Sequence, residues 1–160
     1  MNKQEIRQLL DNLHIRYRWI DHAPVFTVND SVSKLAKERP IKNLLLSNRK
    51  KQLFLIVAFG DTMIDMRRLA RQLGTGHLSF ANSPTLMEIL NVKSGAVSVF
   101  NLLNNGNANT VKLYIDRKVM ESESEIGFHP NDNTATVLLT PNELKKIFAK
   151  FQITYSLLDL

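Results

Sequence analysis

The sequence contains no cysteine among its 160 residues. Disulfides, thiolate metal ligands and cysteine nucleophiles are therefore excluded. No apolar run approaches the roughly 18 residues that a membrane-spanning helix needs. The first residues, Met1 to Glu5, also lack the apolar core of a signal peptide. These absences predict a cytoplasmic protein that has no membrane partner.

The familiar catalytic motifs are missing as well. The sequence has no GxSxG nucleophile elbow, no glycine-rich dinucleotide or phosphate loop and no HExxH metal motif. None of its four histidines lies three to five residues from another, so spacing gives no support to a histidine-based zinc site. We therefore expect no metal and no cofactor.

The charge that is present is concentrated in one part of the chain. The formal net charge is +6, and residues 34–71 hold ten Lys and Arg against three acids. A local excess of this kind suits a polyanionic partner such as nucleic acid, although a solvated basic face would have the same composition. With 44% apolar and 22% charged residues, the chain is otherwise typical of a globular protein, and we expect one domain over residues 1–160.

Hydrophobic periodicity predicts helices and strands in mixed order. The predicted helices cover 3–13, Thr27 to the residue before Pro40, 64–73, a segment opened by Ser83-Pro84, and a segment opened by the Thr140–Glu143 capping box. The predicted strands are 17–20, 40–46, 52–58, 78–80, a short strand within 95–100, 111–115, 134–139 and 153–158. Because strands and helices do not alternate strictly, we expect a mixed α/β (α+β) fold, with a mainly antiparallel mixed sheet and surrounding helices.

Several polar residues lie in turns or at strand ends, where functional side chains are often found. Lys42 and Asn43 begin the apolar run Leu44–Leu46, so Lys42 is either a solvated flank or a deliberately placed charge. No spacing rule joins this pair to the other polar positions, and a histidine in a turn is more often a capping or core-edge group than a catalyst. The other positions are His22, Thr27, Ser79, Gly95, Ser98, His129 and Asn131.

A further observation is the order of seven short motifs along the chain. The series is His22–Thr27, Lys42–Leu46, Asp65–Leu69, Leu78–Ala81, Gly95–Phe100, Phe128–Asn131 and Thr134–Thr136. It resembles the YbaK/ProX family of aminoacyl-tRNA deacylases, and it looks closest to the free-standing prolyl-tRNA editing proteins. The resemblance runs from about residue 5 to the C-terminus.

The resemblance implies hydrolysis of the ester that joins a wrong amino acid to tRNA, usually alanine on the proline tRNA. It places the functional lysine of the family on Lys42. It implies a pocket that binds the substrate through His22, Thr27, Asn43, Ser79, Gly95, Ser98, Val99 and His129. The implied partners are the acceptor end of mischarged tRNA and, as a further candidate, prolyl-tRNA synthetase. The acceptor-stem phosphates would then meet Lys50, Lys51, Arg67, Arg68 and Arg71.

These roles define a mechanistic hypothesis. An aminoacyl ester is already activated, so the protein has only to hold it, place a water and stabilise the oxyanion. Lys42 would supply charge at the carbonyl or at the terminal phosphate and ribose, while Val99 would help to limit substrate size. Because Val99 stands where the family usually has a proline, the amino-acid preference stays open. The alternatives are a non-catalytic module that binds tRNA or synthetase, and a small-molecule hydrolase that ignores RNA.

Overall fold

The structure is a computed structural model, and it describes residues 1–25, 40–103 and 110–160. The predicted helix between Thr27 and Pro40 therefore lies outside the described residues, and so does most of the asparagine-rich segment that follows Leu103. Thr27 itself, predicted to bind substrate, also lies outside them.

The larger of two sheets has five strands in the order β4-β2-β3-β5-β8. Strand β2 pairs antiparallel with β3 and β4, whereas β5 pairs parallel with both β3 and β8. The strands are β2 (Ile41–Asn48), β3 (Leu53–Phe59), β4 (Leu78–Phe80), β5 (Val111–Asp116) and β8 (Tyr155–Leu158). This arrangement confirms the predicted mixed sheet.

The smaller sheet is antiparallel and has the order β1-β7-β6. Its strands are β1 (Tyr17–Asp21), β6 (Ile126–Phe128) and β7 (Ala135–Leu139). An isolated parallel bridge between Pro40 and Gly127 connects this sheet to the start of β2. The two sheets therefore approach each other where β2 begins.

Helices cover the sheets and the loops between them. They are α1 (Lys3–Asn12), α2 (Met66–Gln72), α3 (Ser83–Thr85), α4 (Arg117–Met120) and α5 (Pro141–Lys150). A π-helical turn, Leu86–Leu90, continues α3, and a 3-10 helix covers Val99–Leu103. In the described part of the chain, no helix is long and apolar enough to cross a membrane.

Alternation along the strands divides the core into two layers, because successive side chains of a strand point to opposite faces. Leu55 and Val57 of β3 join the larger cluster, which also contains core residues of the smaller sheet and α5. Phe54 and Ile56 join a smaller cluster with Leu69 of α2. We call these the α5 face and the α2 face of the sheet. Both faces of β3 are covered, which explains its continuous apolar sequence.

The same alternation separates neighbouring residues of β2. Leu44 and Leu46 pack with the cluster on the α2 face, and Leu45 packs with the cluster on the α5 face. Lys42 is two residues from Leu44 and Asn43 is two residues from Leu45, so Lys42 belongs to the α2 face and Asn43 to the α5 face. The two polar residues therefore start from opposite faces of one strand.

Three local predictions need correction. The short strand expected within 95–100 is absent, and the chain forms the 3-10 helix Val99–Leu103 there, which buries Val99 and Phe100. Strand β6 (Ile126–Phe128) covers a segment for which no strand was predicted. Asn82, rather than Ser83, caps α3, because its side chain accepts a hydrogen bond from the Thr85 N–H.

The capping box predicted at α5 forms only in part. Thr140 caps the helix as expected, but the Glu143 carboxylate binds the Arg16 N–H at 3.1 Å and the Lys146 ammonium at 2.7 Å. Burial opposes ionisation of this carboxyl, yet these two donors outweigh it and lower the pKa of Glu143. Glu143 thus links α5 to the segment before β1 through its hydrogen bond with Arg16.

Candidate active site

Strand β2 is paired on both edges over only part of its length. Strand β3 pairs with β2 from Ile41 to Ser47, whereas β4 pairs only with Leu46–Asn48. Just beyond β4, the Ala81 N–H donates to the Leu45 carbonyl at 2.9 Å. Backbone groups of alternate residues face the same edge, so the N–H and C=O of Asn43 face this edge too. No strand among the described residues pairs with Asn43 there.

We call residues 41–44 the open end of β2 and residues 45–48 its paired end. A cleft of about 430 Å³ surrounds the open end. This volume lies within the range of small-molecule and cofactor sites. The cleft is lined by Val25, residues 41–45, Phe80, Ala81, Leu86, Ser94, Gly95, Val97 and His129.

Lys42 lines this cleft, and backbone carbonyls hold its ammonium group. Its Nζ donates to the backbone oxygen of Thr62 and, at 3.5 Å, to that of Gly60. Burial lowers the pKa of Lys42, while the nearby charge of Asp61 acts in the opposite direction. The side chain is half-buried and held by carbonyl groups, which differs from the freely solvated flank that the sequence left open.

Asn43 presents an acceptor that lacks a donor. Its side-chain Oδ1 is buried and accepts no hydrogen bond from the described residues. An unsatisfied buried polar group costs about 1–3 kcal/mol. Because Asn43 also lines the cleft, a ligand that donates a hydrogen bond to Oδ1 would remove that cost.

Two histidines lie together at the side of the cleft, with ring centroids 5.9 Å apart. His129 lines the cleft, and its Nδ1 is 2.9 Å from the Ala135 carbonyl, so Nδ1–H is the donor. Burial lowers the pKa of His129. The neutral ring therefore keeps a lone pair on Nε2.

His22 is not among the residues that line the cleft. Its Nδ1 donates to the Ala23 carbonyl at 2.8 Å, and its Nε2 lies 2.9 Å from the Thr136 hydroxyl. Both ring nitrogens therefore have protein partners. His22 therefore contacts the ring of His129 but does not line the cleft itself.

The glycine-led loop reaches the cleft through only some of its predicted residues. Gly95, with a φ of 90° that favours glycine, lines the cleft together with Val97. Ser98 and Val99 are buried and are not brought to it. The Ser98 hydroxyl accepts from the Phe100 N–H at 3.3 Å, and the 3-10 helix turns Val99 into the core. Val97 thus stands where Val99 was expected to limit substrate size.

Asn101 holds this loop in place, although no pattern in the sequence singled it out. Its Oδ1 accepts from the Ser98 N–H at 2.7 Å. Its Nδ2 donates to the Ala96 carbonyl at 3.3 Å and to Asn131 Oδ1 at 2.6 Å. Asn101 is fully buried, so these hydrogen bonds connect the 95–99 loop to the segment that carries His129.

Strand β4 contributes a residue that sequence reasoning missed. Ser79, the predicted substrate-binding residue, is exposed, pairs with Ser47 and is not among the cleft-lining residues. Its neighbour Phe80 lines the cleft instead and remains 64% exposed. A single phenylalanine beside a serine carries no periodic signal, so only the fold reveals it.

The residues predicted to bind RNA are all exposed. Lys50 and Lys51 lie in the turn between β2 and β3, and Arg67, Arg68 and Arg71 lie on α2. The N–H groups of Arg68 and Arg67 donate to Asp65, which caps the helix, and these bonds lower the pKa of Asp65. None of the five basic residues lines the cleft.

Across residues 1–25, 40–103 and 110–160, no three histidine, aspartate or glutamate side chains come together in a way that could hold a metal ion. The cleft instead offers a cation at Lys42, hydrogen-bonding groups at Asn43 and an apolar wall at Leu86 and Val97. This set can bind a polar ester and stabilise negative charge on its carbonyl oxygen.

Comparison with known proteins agrees with this chemistry. Residues 22–147 match the family model described as the aminoacyl-tRNA editing domain. The prolyl-tRNA editing protein ProX of Acetoanaerobium sticklandii is 36% identical over 162 residues, covering 99% of this chain and 97% of that protein. The prolyl-tRNA synthetase associated domain-containing protein 1 of Mus musculus is 32% identical, covering 92% and 89%.

Solved structures show the same fold at low identity. A crystal structure of a hypothetical protein superposes with a TM-score of 0.76 at 15% identity and covers 97% of both chains. A candidate trans-editing enzyme for prolyl tRNA synthetase gives a TM-score of 0.71 at 16% identity and covers 99% of this chain and 95% of its own. Since the family model spans most of the sequence, the chain belongs to the aminoacyl-tRNA editing domain family and is an aminoacyl-tRNA deacylase.

Proposed function

We propose that the cleft at the open end of β2 hydrolyses the ester bond of alanine mischarged onto the proline tRNA. The observation that carries this proposal concerns two adjacent residues that line the cleft: Lys42 has a fixed ammonium on one face of β2, and Asn43 has an unsatisfied amide oxygen on the other. The name of the Acetoanaerobium sticklandii relative supports prolyl-tRNA as the tRNA concerned.

The reaction needs little from the protein beyond binding and electrostatics. Water adds to the ester carbonyl, the bond between carbonyl carbon and ribose oxygen breaks, and the ribose oxygen receives a proton. Lys42 stabilises the negative charge that develops on the carbonyl oxygen or on the leaving ribose oxygen, or it binds the charge that the terminal phosphate already carries. A hydroxyl of the tRNA terminal ribose assists in placing the water or moving the proton.

Asn43 binds the amino acid in this proposal. The α-amino group of the substrate donates to Asn43 Oδ1, which has no described donor of its own. The main-chain N–H and C=O of Asn43 face the same open edge of the strand and can bind the backbone atoms of the aminoacyl group. His129 forms the adjacent wall and accepts a hydrogen bond at Nε2.

Substrate size is limited by the apolar wall of the cleft. Leu86 and Val97 line the cleft together with Gly95, which contributes no side chain to it. A synthetase site that accepts proline discriminates poorly against a smaller amino acid, since one methylene is worth only about 1–3 kcal/mol. A second site that admits only the smaller side chain corrects the resulting errors.

The cellular setting is also a proposal. Names of relatives such as the Mus musculus protein link this family to prolyl-tRNA synthetase. We propose that the protein acts in the cytoplasm on tRNA released by that synthetase, with the whole chain forming one deacylase domain.

The test is a deacylation panel on one proline tRNA charged with alanine, cysteine, serine or proline. We expect faster hydrolysis of alanine than of proline. The variant Lys42→Met should lower kcat/KM by roughly 10²- to 10³-fold, the usual effect of removing one group that stabilises an oxyanion. Salt-dependent tRNA binding should persist in this variant.

Two outcomes would contradict the proposal. Wild-type protein and Lys42→Met with the same negligible turnover, but intact tRNA binding, would favour a non-catalytic binding module. Hydrolysis of simple amino-acid esters with no preference for the tRNA ester would favour a small-molecule hydrolase. The variant Lys146→Met is a matched control, because Lys146 lies on α5 and contacts Glu143 instead of the cleft.

A further inference from the structure

Phe80 is unusual among the aromatic side chains of the described residues. Phe54, Phe100 and Phe128 are at most 2% exposed, whereas Phe80 is 64% exposed. Exposing a phenylalanine ring forfeits the hydrophobic stabilisation that its burial would supply. Because Phe80 also lines the cleft, its exposed ring borders the candidate active site.

The backbone fixes where this ring lies. Phe80 is the direct partner of Leu46 in the antiparallel pair of β4 and β2. Directly paired residues place their side chains on the same face of a sheet. Phe80 therefore shares the α2 face with Leu46 and, by alternation, with Lys42.

Hydrogen bonds also hold the backbone that follows Phe80. The Ala81 N–H donates to the Leu45 carbonyl at 2.9 Å, immediately after Phe80. Asn82 then caps α3 through hydrogen bonds to the Thr85 N–H and hydroxyl. An exposed ring on a paired strand followed by a capped helix forms a rigid surface, which loses little conformational entropy when a ligand binds to it.

The spacing between Phe80 and Lys42 suggests what the ring binds. Lys42 and the Phe80 partner Leu46 are separated by roughly 13 Å along β2, at the rise of a β-strand. That separation exceeds one small amino acid and suits a nucleotide whose ribose and phosphate lie toward Lys42. Leu86 and Val97 pack with the cluster on the α5 face, to which Asn43 belongs, whereas Phe80 shares the α2 face.

We propose that Phe80 is a stacking platform for the terminal base of the tRNA acceptor end. The ester crosses the open end of β2, with the amino acid on the Asn43 side and the terminal nucleotide between Lys42 and Phe80. Unpaired bases at single-stranded ends stack readily on aromatic side chains. This assignment rests on the proposed function, and it makes Phe80 a positioning residue for the ester.

The direct test uses proline tRNA that carries the fluorescent base 2-aminopurine at its 3′ end. Stacking on an aromatic ring quenches this fluorophore. We expect wild-type protein to quench the fluorescence, Phe80→Trp to retain the quenching and Phe80→Ala to lose it. Met63→Ala is a matched control, since Met63 is 92% exposed but does not line the cleft. It should behave as the wild type does.

Kinetics supply a second readout. Stacking of one base contributes about 1–3 kcal/mol, so Phe80→Ala should raise KM for alanyl-tRNA by on the order of tenfold. On a charged tRNA whose terminal nucleotide lacks its base, Phe80→Ala and wild type should have the same KM. If Phe80 had a purely structural role, Phe80→Ala would instead weaken the binding of both substrates equally.

The proposal is overturned if Phe80→Ala quenches 2-aminopurine as the wild type does, or if the KM effect persists on the abasic substrate. Failure of the proposed function gives a different result. In that case the wild type would hydrolyse no charged tRNA, while the quenching comparison would still decide whether Phe80 binds the terminal base.

Discussion

Strand β2 carries an asparagine near each end, and the two side chains have opposite environments. At the paired end, Asn48 Oδ1 accepts from the N–H groups of Lys50 and Gln52, at 3.1 and 2.9 Å. Its Nδ2 donates to Gln52 Oε1 and Thr75 Oγ1, at 2.7 and 2.8 Å. At the open end, Asn43 Oδ1 is buried and has no donor among the described residues.

The two ends of the strand thus differ in whether the protein itself satisfies the polar side chain. Buried polar groups that stabilise a fold are satisfied by the protein itself, as at Asn48. A buried acceptor left unsatisfied beside a cleft costs stability, and it indicates a ligand that supplies the missing donor. Sequence cannot distinguish the two asparagines, since both flank the same apolar run.

The largest effect that tests this comparison is expected for Asn43→Leu. Leucine has a similar volume but offers no acceptor to the α-amino group. We expect kcat/KM for alanyl-tRNA to fall by roughly 10²-fold, as when one hydrogen-bonding group of an active site is removed. The free energy of unfolding should be unchanged or slightly higher, because an unsatisfied oxygen is lost. Urea denaturation and deacylation assays measure the two quantities.

The contrary outcome for Asn43→Leu is also clear. A large loss of stability together with intact deacylation would make Asn43 a structural residue like Asn48. The comparison between the two ends of β2 would then fail.

The second-largest effect is expected for Asn48→Ala, which should lose stability and keep its activity. Three hydrogen bonds within the β2–β3 turn and one to Thr75 are lost, and two backbone N–H groups lose their partner. We expect the free energy of unfolding to fall by about 2–3 kcal/mol. At a temperature where the variant is folded, kcat should equal that of the wild type. A selective loss of kcat, with stability retained, would show that the paired end takes part in the chemistry.

A third and smaller effect concerns the basic turn at the paired end. Lys50 and Lys51 are exposed and immediately follow Asn48 and Arg49. In the double variant Lys50→Gln, Lys51→Gln, we expect KM for tRNA to rise by on the order of tenfold at low salt, with kcat unchanged. The slope of log affinity against log salt should become shallower by about 1–2, because fewer phosphate charges are neutralised.

The matched control for this double variant is Lys145→Gln, Lys150→Gln on α5, which removes the same charge elsewhere. If both double variants weaken binding equally, the effect reflects net charge alone. A docking role for the turn at the paired end would then be excluded.

The outline of the fold was largely predictable from the sequence. Strands β2 and β3 carry continuous apolar runs, and α1 and α5 combine hydrophobic periodicity with capping residues, so local pattern and tertiary packing agree there. The prediction for residues 95–100 was wrong because the alternation of Val97 and Val99 is typical of a strand. Hydrogen bonds of the Asn101 side chain with Ser98 and Ala96, three and five residues earlier, close the turn that forms instead.

The candidate site was predictable only in part. Lys42, Asn43, Gly95 and His129 line the cleft, as their place in the motif order suggested. Phe80 and Val97 were missed, because exposure at a cleft and orientation within a loop depend on the complete fold. Ser98 and Val99 belong to the same motif but face the interior. Motif order therefore located the loop without indicating which of its side chains line the cleft.

The smallest expected effect lies at the open end and concerns His129. Burial and the neighbouring His22 lower the pKa of His129, and they outweigh the Ala135 carbonyl and Asp132, which raise it. In the unfolded chain, histidine titrates near its ordinary pKa of about 6.5. As the pH falls through that value, the unfolded state binds a proton that the folded state does not. The free energy of unfolding therefore decreases until the lower, folded-state pKa is passed, and then levels off.

Replacing His129 by asparagine should remove this contribution, because the amide can still donate to the Ala135 carbonyl but does not titrate. Urea denaturation between pH 7.5 and 5 should show a smaller loss of stability for His129→Asn than for the wild type. His14→Asn, at an exposed position after α1, should retain the pH dependence of the wild type. If His129→Asn loses as much stability as the wild type, His129 is not held neutral by its surroundings. The open end of β2 would then lack the neutral acceptor that distinguishes it from the paired end.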